Sequence, residues 1–325
     1  MSASTIQEQL VKYLTDAHSI EEQALPQLRA APEIARDEQL AAIFRQHLAE
    51  TERQEEYVRS RLEAHDEKPS KLKDTVMKVG GAGFALFAGS QPDTPGKLVA
   101  HAFSYEHLEV VSYELLAHVA ERAHDGETAE MARRIRDEER LMAQRLEGAF
   151  DTAVEASLRE LDPDSLQQQV LSYLEDAHAI EEQAIKLLEK GPEIVGDREL
   201  ARIFTEHLDE TRLHELLVKE RLDVLGDSPS KLKDAAMRLG ALNWGTFFKA
   251  HPDTPGKLAA FAYAFEHLEI AGYELLRRVA LRASDRGTVE LTDRILGDER
   301  AAAEKIAGAF ERAGEASLQA VGVAA

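Results

Sequence analysis

The residues in this sequence most able to do chemistry are glutamates and histidines placed inside otherwise apolar helical stretches. In FSYEHLEVVSY (103–113), Glu106 and Glu109 lie one helical turn apart on a face that should be buried. The other helical stretches of the N-terminal half interrupt their apolar stripes in the same way. The interrupting residues are Glu21, His47, Glu50, Glu106, Glu109 and Glu139. Carboxylates and imidazoles are ligands of iron and manganese, so the pattern predicts a metal centre.

Five carboxylates that meet inside a helical bundle cannot remain bare. Removing each ion from water costs several kcal/mol, and like charges at close range add to that cost. A domain has only about 5–15 kcal/mol of net stability. The groups must therefore be protonated, paired with cations or bound to metal. Five negative charges offset two divalent ions and leave an open coordination position, which predicts a di-iron or di-manganese site.

The chain is an internal duplication in which residue n aligns with residue n + 160 without a gap over most of the chain. YLTDAHSIEEQA (13–24) recurs as YLEDAHAIEEQA (173–184), and PDTPGKL (92–98) recurs unchanged at 252–258. The sequence therefore predicts two homologous domains, residues 1–161 and 162–325. The candidate ligands of the second domain are Glu181, His207, Glu210, His214, Glu266, Glu269 and Glu299.

The differences between the halves include two polar positions near the candidate ligands. His214 replaces Gln54, and Asp298 replaces Glu138. These exchanges indicate that the second site differs from the first in metal affinity. The roles of Glu138 and Asp298 stay open.

Each half reads as four long helices, with an apolar period near 3.6 residues and almost no strand signal. Short turns join the first helix to the second and the third to the fourth, whereas residues 65–94 separate the second from the third. That connection includes SKLKDTVMKVGG (70–81), which predicts a short extra helix. The predicted fold class is all-α, with two tandem ferritin-like four-helix bundles that each have one long crossover.

Composition excludes several classes of protein. A net charge of −21 argues against nucleic-acid binding, which needs clustered Lys and Arg, and favours cations. The absence of cysteine excludes disulfides, Cys-ligated zinc and iron–sulfur centres. No run approaches the roughly 18 apolar residues of a membrane span, and the polar N-terminus does not resemble a secretory signal. Cytoplasmic residence is the default expectation.

Other interpretations of the polar residues remain open. Paired glutamates on a helix often form a solvated face, although here the helical phase is inward on every helix of both halves. Arg61 and Arg221 could neutralise part of the buried charge by ion pairing. His18 and His178 fit a structural role and a ligand role equally well. Tyr113 and Tyr273 are predicted core residues whose hydroxyls bind a ligand carboxylate.

DAHSIEEQAL, HLAETERQ, YEHLEVVSYELL and RDEER together resemble the YciF-type ferritin-like family of bacteria, within the ferritin and rubrerythrin superfamily. The resemblance covers nearly the whole chain, once per half. It implies a four-helix bundle, sometimes paired as dimers, with a di-metal site and an association with stress.

The resemblance also implies roles for single residues. Glu106 and Glu109 match the Glu-x-x-Glu that rubrerythrin-like sites have on their third helix. By analogy the predicted bridging ligands are Glu50 and Glu109, or Glu210 and Glu269 in the second half. The predicted terminal carboxylates are Glu21, Glu106 and Glu139, or Glu181, Glu266 and Glu299. His47 and His207 are the predicted nitrogen ligands.

The sequence departs from the superfamily pattern at two positions. Arg53 and Met142 stand where the Glu-x-x-His motifs of the second and fourth helices have histidine. The expected site is therefore rich in carboxylates and poor in nitrogen. Since cysteine is absent, redox turnover needs an external electron donor.

The function that these features predict is Fe(II) oxidation by oxygen or peroxide, in oxidative stress or iron handling. One alternative is a protein that holds metal without turnover. Another is a metal-free interaction module that acts through GGAGFALFAG (80–89) and GALNWGTFFKAH (240–251). The duplication favours an internal pseudo-dimer that is a monomer or a small homo-oligomer.

Overall fold

The computed structural model describes residues 4–67, 94–159, 162, 165–229 and 254–323. Helices dominate these residues, which contain no β-strand. The predicted all-α class and its two tandem helical bundles are confirmed. The predicted extra helix at 70–81 and the segments 80–89 and 240–251 lie outside the described residues.

The chain divides into two compact units, whose main bodies are Met1–Arg159 and Glu160–Val321. The first contains α1 (Ile6–Ile34), α2 (Glu38–Ala64), α3 (Thr94–Arg122), α4 (Gly126–Glu147) and the short α5 (Phe150–Leu158). Helix α1 packs along α2 and α3 packs along α4, while α1 also contacts α3. We call this unit bundle 1.

The second unit, bundle 2, repeats this order with one interruption. Its helices are α6 (Leu166–Leu188), α7 (Gly191–Ile194), α8 (Arg198–Val224), α9 (Thr254–Arg282), α10 (Arg286–Ala307) and α11 (Phe310–Ala320). Helix α1 is continuous, whereas its counterpart breaks into α6 and α7 just before Gly191, which stands at the position of Ala31. A Cβ at Gly191 would lie only 3.2 Å from the Phe204 ring.

Local signals explain where the helices begin. Thr5 and Glu8 form a capping box at the start of α1, and Asp37 accepts hydrogen bonds from Gln39 N and Leu40 N at the start of α2. Asp125 caps α4 by accepting from Thr128 N at 3.0 Å. These caps satisfy backbone donors that have no partner within the helix.

Each bundle core consists of apolar layers on either side of a polar one. On α1, Leu14 and Leu25 are buried on either side of Glu21. On α2, Phe44 and Val58 flank the polar residues in the same way. Burying such a side chain contributes about 1.5–3 kcal/mol, so the apolar layers can offset the cost of the polar layer between them. No described helix is both long enough and apolar enough to cross a lipid bilayer.

Arg61 and Arg221 bind the N-terminal ends of α4 and α10, respectively. Neither pairs with the central carboxylates in the described structure. Arg61 donates from Nε to Thr128 Oγ1 at 2.9 Å and from Nη2 to Asp125 Oδ1 at 3.0 Å. Arg221 makes the corresponding contacts with Thr288 and Asp285. Ion pairing by these arginines therefore does not explain the buried charge.

Replacing Asp125 with alanine is expected to destabilise bundle 1 by about 1–2 kcal/mol, because the change removes the α4 cap and the carboxylate that binds Arg61. Urea unfolding followed by circular dichroism measures the loss. Asp137→Ala is the matched control, since Asp137 pairs with Arg136 at the exposed surface of the same helix. A loss from Asp125→Ala no larger than from this control would contradict the prediction.

Candidate metal centre

Bundle 1 brings four of the predicted ligands together at its centre. His47 from α2, Glu106 and Glu109 from α3, and Glu139 from α4 offer ligand atoms that all lie within 4.8 Å of one another. Each of these residues is at most 2% exposed. His47 Nε2 lies 3.1 Å from Glu106 Oε1 and 4.0 Å from Glu139 Oε2. The group therefore has the size and the donor atoms of a metal site.

The remaining helix supplies Glu21, which is completely buried. The Tyr113 hydroxyl donates a hydrogen bond to Glu21 Oε1 and so links α3 to α1. Tyr113 follows Glu109 by one helical turn, so a single face of α3 carries both carboxylates and the phenol. Tyr273 donates to Glu181 in the same way in bundle 2. The predicted hydrogen bond between each tyrosine and a carboxylate is present.

Bundle 2 contains two overlapping groups. His207, Glu266, Glu269 and Glu299 form the first, and Glu181, His214 and Glu299 form the second. Glu299 belongs to both, and its two oxygens face different imidazoles. Its Oε2 lies 3.8 Å from His207 Nε2, and its Oε1 lies 2.7 Å from His214 Nδ1.

Several buried carboxylate oxygens have no hydrogen-bond partner among the described residues. They include one oxygen each of Glu21, Glu109 and Glu181 and both oxygens of Glu139 and Glu269. Buried polar atoms are nearly always satisfied, so a concentration of unpaired oxygens at one point is compatible with a bound cation. These atoms fit an oxygen-binding metal.

Burial, reinforced by neighbouring carboxylates, raises the pKa of six glutamates in the two layers. The pKa of Glu21 and of Glu181 rises to about 8, and that of Glu299 to about 7. The pKa values of Glu109, Glu139 and Glu269 lie well above the ordinary range for the same reason. The metal-free site therefore favours protonated carboxyls over bare carboxylates.

The histidine pKa values are raised as well. Burial opposes the imidazolium form, but the surrounding carboxylates outweigh it and hold the pKa of His47 and His207 well above the ordinary value. The same balance raises the pKa of His214 to about 9. A divalent cation bound here would displace these protons, so metal binding must strengthen as the pH rises.

Glu50 and Glu210 are not brought into these groups. Glu50 is half-buried and accepts hydrogen bonds from Arg145 Nη1 at 2.8 and 3.0 Å. The His47 imidazole and the Arg145 guanidinium hold the pKa of Glu50 at about 2. Glu210 lies 3.3 Å from His207 Nδ1 and 3.4 Å from Lys305 Nζ. Both carboxylates therefore border the histidine while their charge is already paired.

The residues with open roles also find partners. His18 Nε2 lies 3.0 Å from Glu55 Oε1, and Glu22 completes a small group around them. His178 pairs with Glu215 at 2.9 Å. Glu138 accepts a hydrogen bond from Gln54, and Asp298 lies 3.3 Å from His214 Nε2.

The sequence reasoning missed Glu55 and Glu215. Both halves retain the acidic residue next to the inward Gln54 or His214, and this recurrence was the available signal.

The comparison with protein families assigns both halves to one family. The model of a domain of unknown function, DUF892, matches residues 5–159 and again residues 165–319. No solved structure matches the chain. The chain therefore belongs to the DUF892 family of the ferritin-like superfamily and contains its domain twice in tandem.

Proposed function

We propose that each bundle binds a pair of divalent iron or manganese ions and that the protein uses them to oxidise Fe(II) with oxygen or peroxide. The observation that carries the metal site is the group of buried carboxylates with unpaired oxygens beside an imidazole. Carboxylate-rich sites with few nitrogens suit iron and manganese. The resemblance to YciF-type proteins supports a role in oxidative stress or iron handling.

The placement of Glu299 supports a two-ion centre. A carboxylate whose two oxygens face two different imidazoles is suited to bridge two cations. Glu139 is its counterpart in bundle 1 and lies against His47. These residues are better placed to bridge than Glu50 and Glu210, which are engaged by Arg145 and Lys305.

The chain's own residues position and shield the site. Tyr113 holds one oxygen of Glu21 and leaves the other without a hydrogen-bond partner among the described residues. The apolar layers limit the access of water, which strengthens the attraction between the carboxylates and a cation. Bound iron or manganese supplies the one-electron chemistry that these side chains lack.

A second candidate function is metal binding without turnover. Met142 is fully buried where the superfamily motif has a histidine, and Arg53 is exposed and bonds its own helix. The nitrogen ligands that accompany redox turnover in related sites are therefore missing from these positions. A carboxylate-rich site of this kind is suited to hold or scavenge an ion.

The test is oxygen uptake and absorbance change after Fe(II) is added to the metal-free chain. We expect uptake by the wild type and a loss of at least about tenfold in Glu106→Ala/Glu266→Ala, because one ligand is removed from each bundle. Glu130→Gln/Glu290→Gln is the control, since both glutamates are exposed on the same bundles.

Stoichiometric metal binding with no more oxygen uptake than Glu106→Ala/Glu266→Ala shows would favour the second candidate. Failure of the wild type to bind Fe(II) or Mn²⁺ would contradict both functions.

A further inference from the structure

The polar layers of the two bundles differ most at one buried position, which is Gln54 in bundle 1 and His214 in bundle 2. We propose that this difference gives one chain two centres of different metal preference. Bundle 2 selects borderline cations such as Co²⁺, Zn²⁺ and Fe²⁺, whereas bundle 1 tolerates Mn²⁺ better. The inference rests on the proposed metal-binding function and adds to it the selectivity of each site.

The geometry of His214 is that of an oriented ligand. Its Nδ1 lies 2.7 Å from Glu299 Oε1 and 3.9 Å from Glu181 Oε1, on the side of the buried carboxylates. Its Nε2 lies 3.3 Å from Oδ2 of Asp298, whose side chain is 46% exposed. An outer carboxylate that accepts one ring N–H fixes the tautomer and leaves the other nitrogen for a metal. His214 is thus a second inward nitrogen donor beside His207.

Gln54 occupies the same place with different chemistry. Its Nε2 donates to Glu138 Oε2 at 3.1 Å, so the amide nitrogen is directed to the outer carboxylate. Its buried Oε1 has no hydrogen-bond partner among the described residues. The side chain can therefore offer the site only a carbonyl oxygen. In the polar layer, bundle 1 has His47 as its nitrogen donor, whereas bundle 2 has His207 and His214.

The remaining ligands are the same in both bundles. Each has the buried glutamate that binds a tyrosine, the Glu-x-x-Glu pair and the glutamate of the fourth helix. Nearby differences include Lys305 for Arg145 and Asp298 for Glu138 at the rim, and Ala302 for the buried Met142. The exchange of glutamine for histidine is the one of these changes that adds an inward nitrogen donor.

The type of ligand atom, nitrogen or oxygen, determines which metal each bundle prefers. Imidazole suits iron, cobalt and zinc, whereas carboxylate and carbonyl oxygens suit manganese, and affinity for a nitrogen-containing site rises from Mn²⁺ to Co²⁺. Loss of an outer partner of a ligating histidine costs about 10–100-fold in metal affinity. Exchanging the ligand itself is expected to shift the relative affinity by at least about tenfold.

The experiment uses the full chain with one centre disabled at a time. Glu106→Ala/Glu139→Ala disables the metal site of bundle 1 and leaves that of bundle 2 intact. Glu266→Ala/Glu299→Ala does the reverse. The ratio of the Mn²⁺ to the Co²⁺ dissociation constant is measured in each by calorimetry and by the visible absorption of Co²⁺. We expect this ratio to be at least about tenfold larger in bundle 2.

Reciprocal exchange then tests the cause. Gln54→His should raise the ratio of bundle 1 by about tenfold, and His214→Gln should lower that of bundle 2 by a similar factor. Asp298→Asn should weaken Co²⁺ binding by bundle 2 at least about tenfold, whereas the matched Glu138→Gln in bundle 1 should have little effect. Circular dichroism establishes whether each variant is folded. If Gln54→His does not fold, the effect of His214→Gln on the ratio of bundle 2 is the deciding measurement.

Equal ratios in the two bundles, or ratios that the exchanges leave unchanged, would overturn the inference while leaving the proposed function intact. If neither bundle binds either ion, the proposed function is wrong, and the inference that depends on it is wrong as well.

Discussion

Replacing Glu109 and Glu269 with glutamine is expected to make the metal-free protein more stable at pH 8 and to remove most of its stabilisation by Mn²⁺. These two carboxyls are at most 2% exposed, and three of their four oxygens have no hydrogen-bond partner among the described residues. Burial raises their pKa, and neighbouring glutamates raise it further.

The expected gain in stability follows from the raised pKa of these two carboxyls. In the unfolded chain each carboxyl ionises near its ordinary pKa of 4.5, so folding at pH 8 must either bury the charge or take up a proton. Glutamine keeps the shape and needs neither. One pKa unit corresponds to about 1.4 kcal/mol, so we expect a gain of at least about that size per bundle. The gain should shrink at pH 5, where protonation costs little.

The metal effect has the opposite sign because the same oxygens are proposed ligands. A ligand that binds only the folded state raises the free energy of unfolding by RT ln(1 + [L]/Kd), so the wild type should gain stability as Mn²⁺ is added. The double variant should gain far less. Thermal unfolding with a chelator and with excess Mn²⁺ measures both effects.

The control is Glu130→Gln/Glu290→Gln, which removes the same charge from exposed positions. A double variant that is less stable than this control without metal would show that the buried carboxyls already have adequate partners. Undiminished stabilisation by Mn²⁺ would show that they do not bind the metal.

The polar layer itself was predictable from the sequence, because helical period and polarity together define a buried face. Glu21, Glu106 and Glu139 all continue apolar stripes, and the structure buries all three. Duplication strengthened the prediction, since two diverged halves keep the same inward residues.

The edges of the layer were not predictable in the same way. Glu50 follows His47 by three residues, which places it near the same face, but the long side chain turns to Arg145 at 2.8 Å. The helical phase of a residue does not show which basic residues of another helix lie within reach of its side chain. The pairing of His18 with Glu55 was missed for the same reason, since it depends on how α1 and α2 are rotated against each other.

Raising the pH from 5 to 8 is expected to destabilise the metal-free protein and to strengthen its metal binding. The pKa of Glu21 and of Glu181 is raised by burial from 4.5 to about 8 in the folded state. An acid with a raised folded pKa stabilises the fold fully below its unfolded pKa, and this contribution is lost as the pH rises through the folded value. The window therefore runs from about pH 4.5 to about pH 8.

The histidines act in the same direction. The pKa of His214 rises from 6.5 to about 9, because its carboxylate neighbours outweigh burial, so its contribution is also lost as the pH rises. The summed loss is on the order of several kcal/mol per bundle, since one pKa unit corresponds to about 1.4 kcal/mol. Bound metal replaces these protons, so the metal-bound protein should show a much flatter pH dependence.

The measurement is the midpoint of thermal unfolding between pH 5 and pH 8, with a chelator and with Mn²⁺. The high negative charge of the chain makes a separate contribution to the change of the unfolding midpoint with pH. Glu21→Gln/Glu181→Gln isolates the buried part, because it removes one raised pKa from each bundle and should flatten the slope of the metal-free protein. A slope that this variant does not change would mean that these carboxyls ionise without cost. In that case the buried layer needs no cation to hold it, and the physical basis for the metal site is lost.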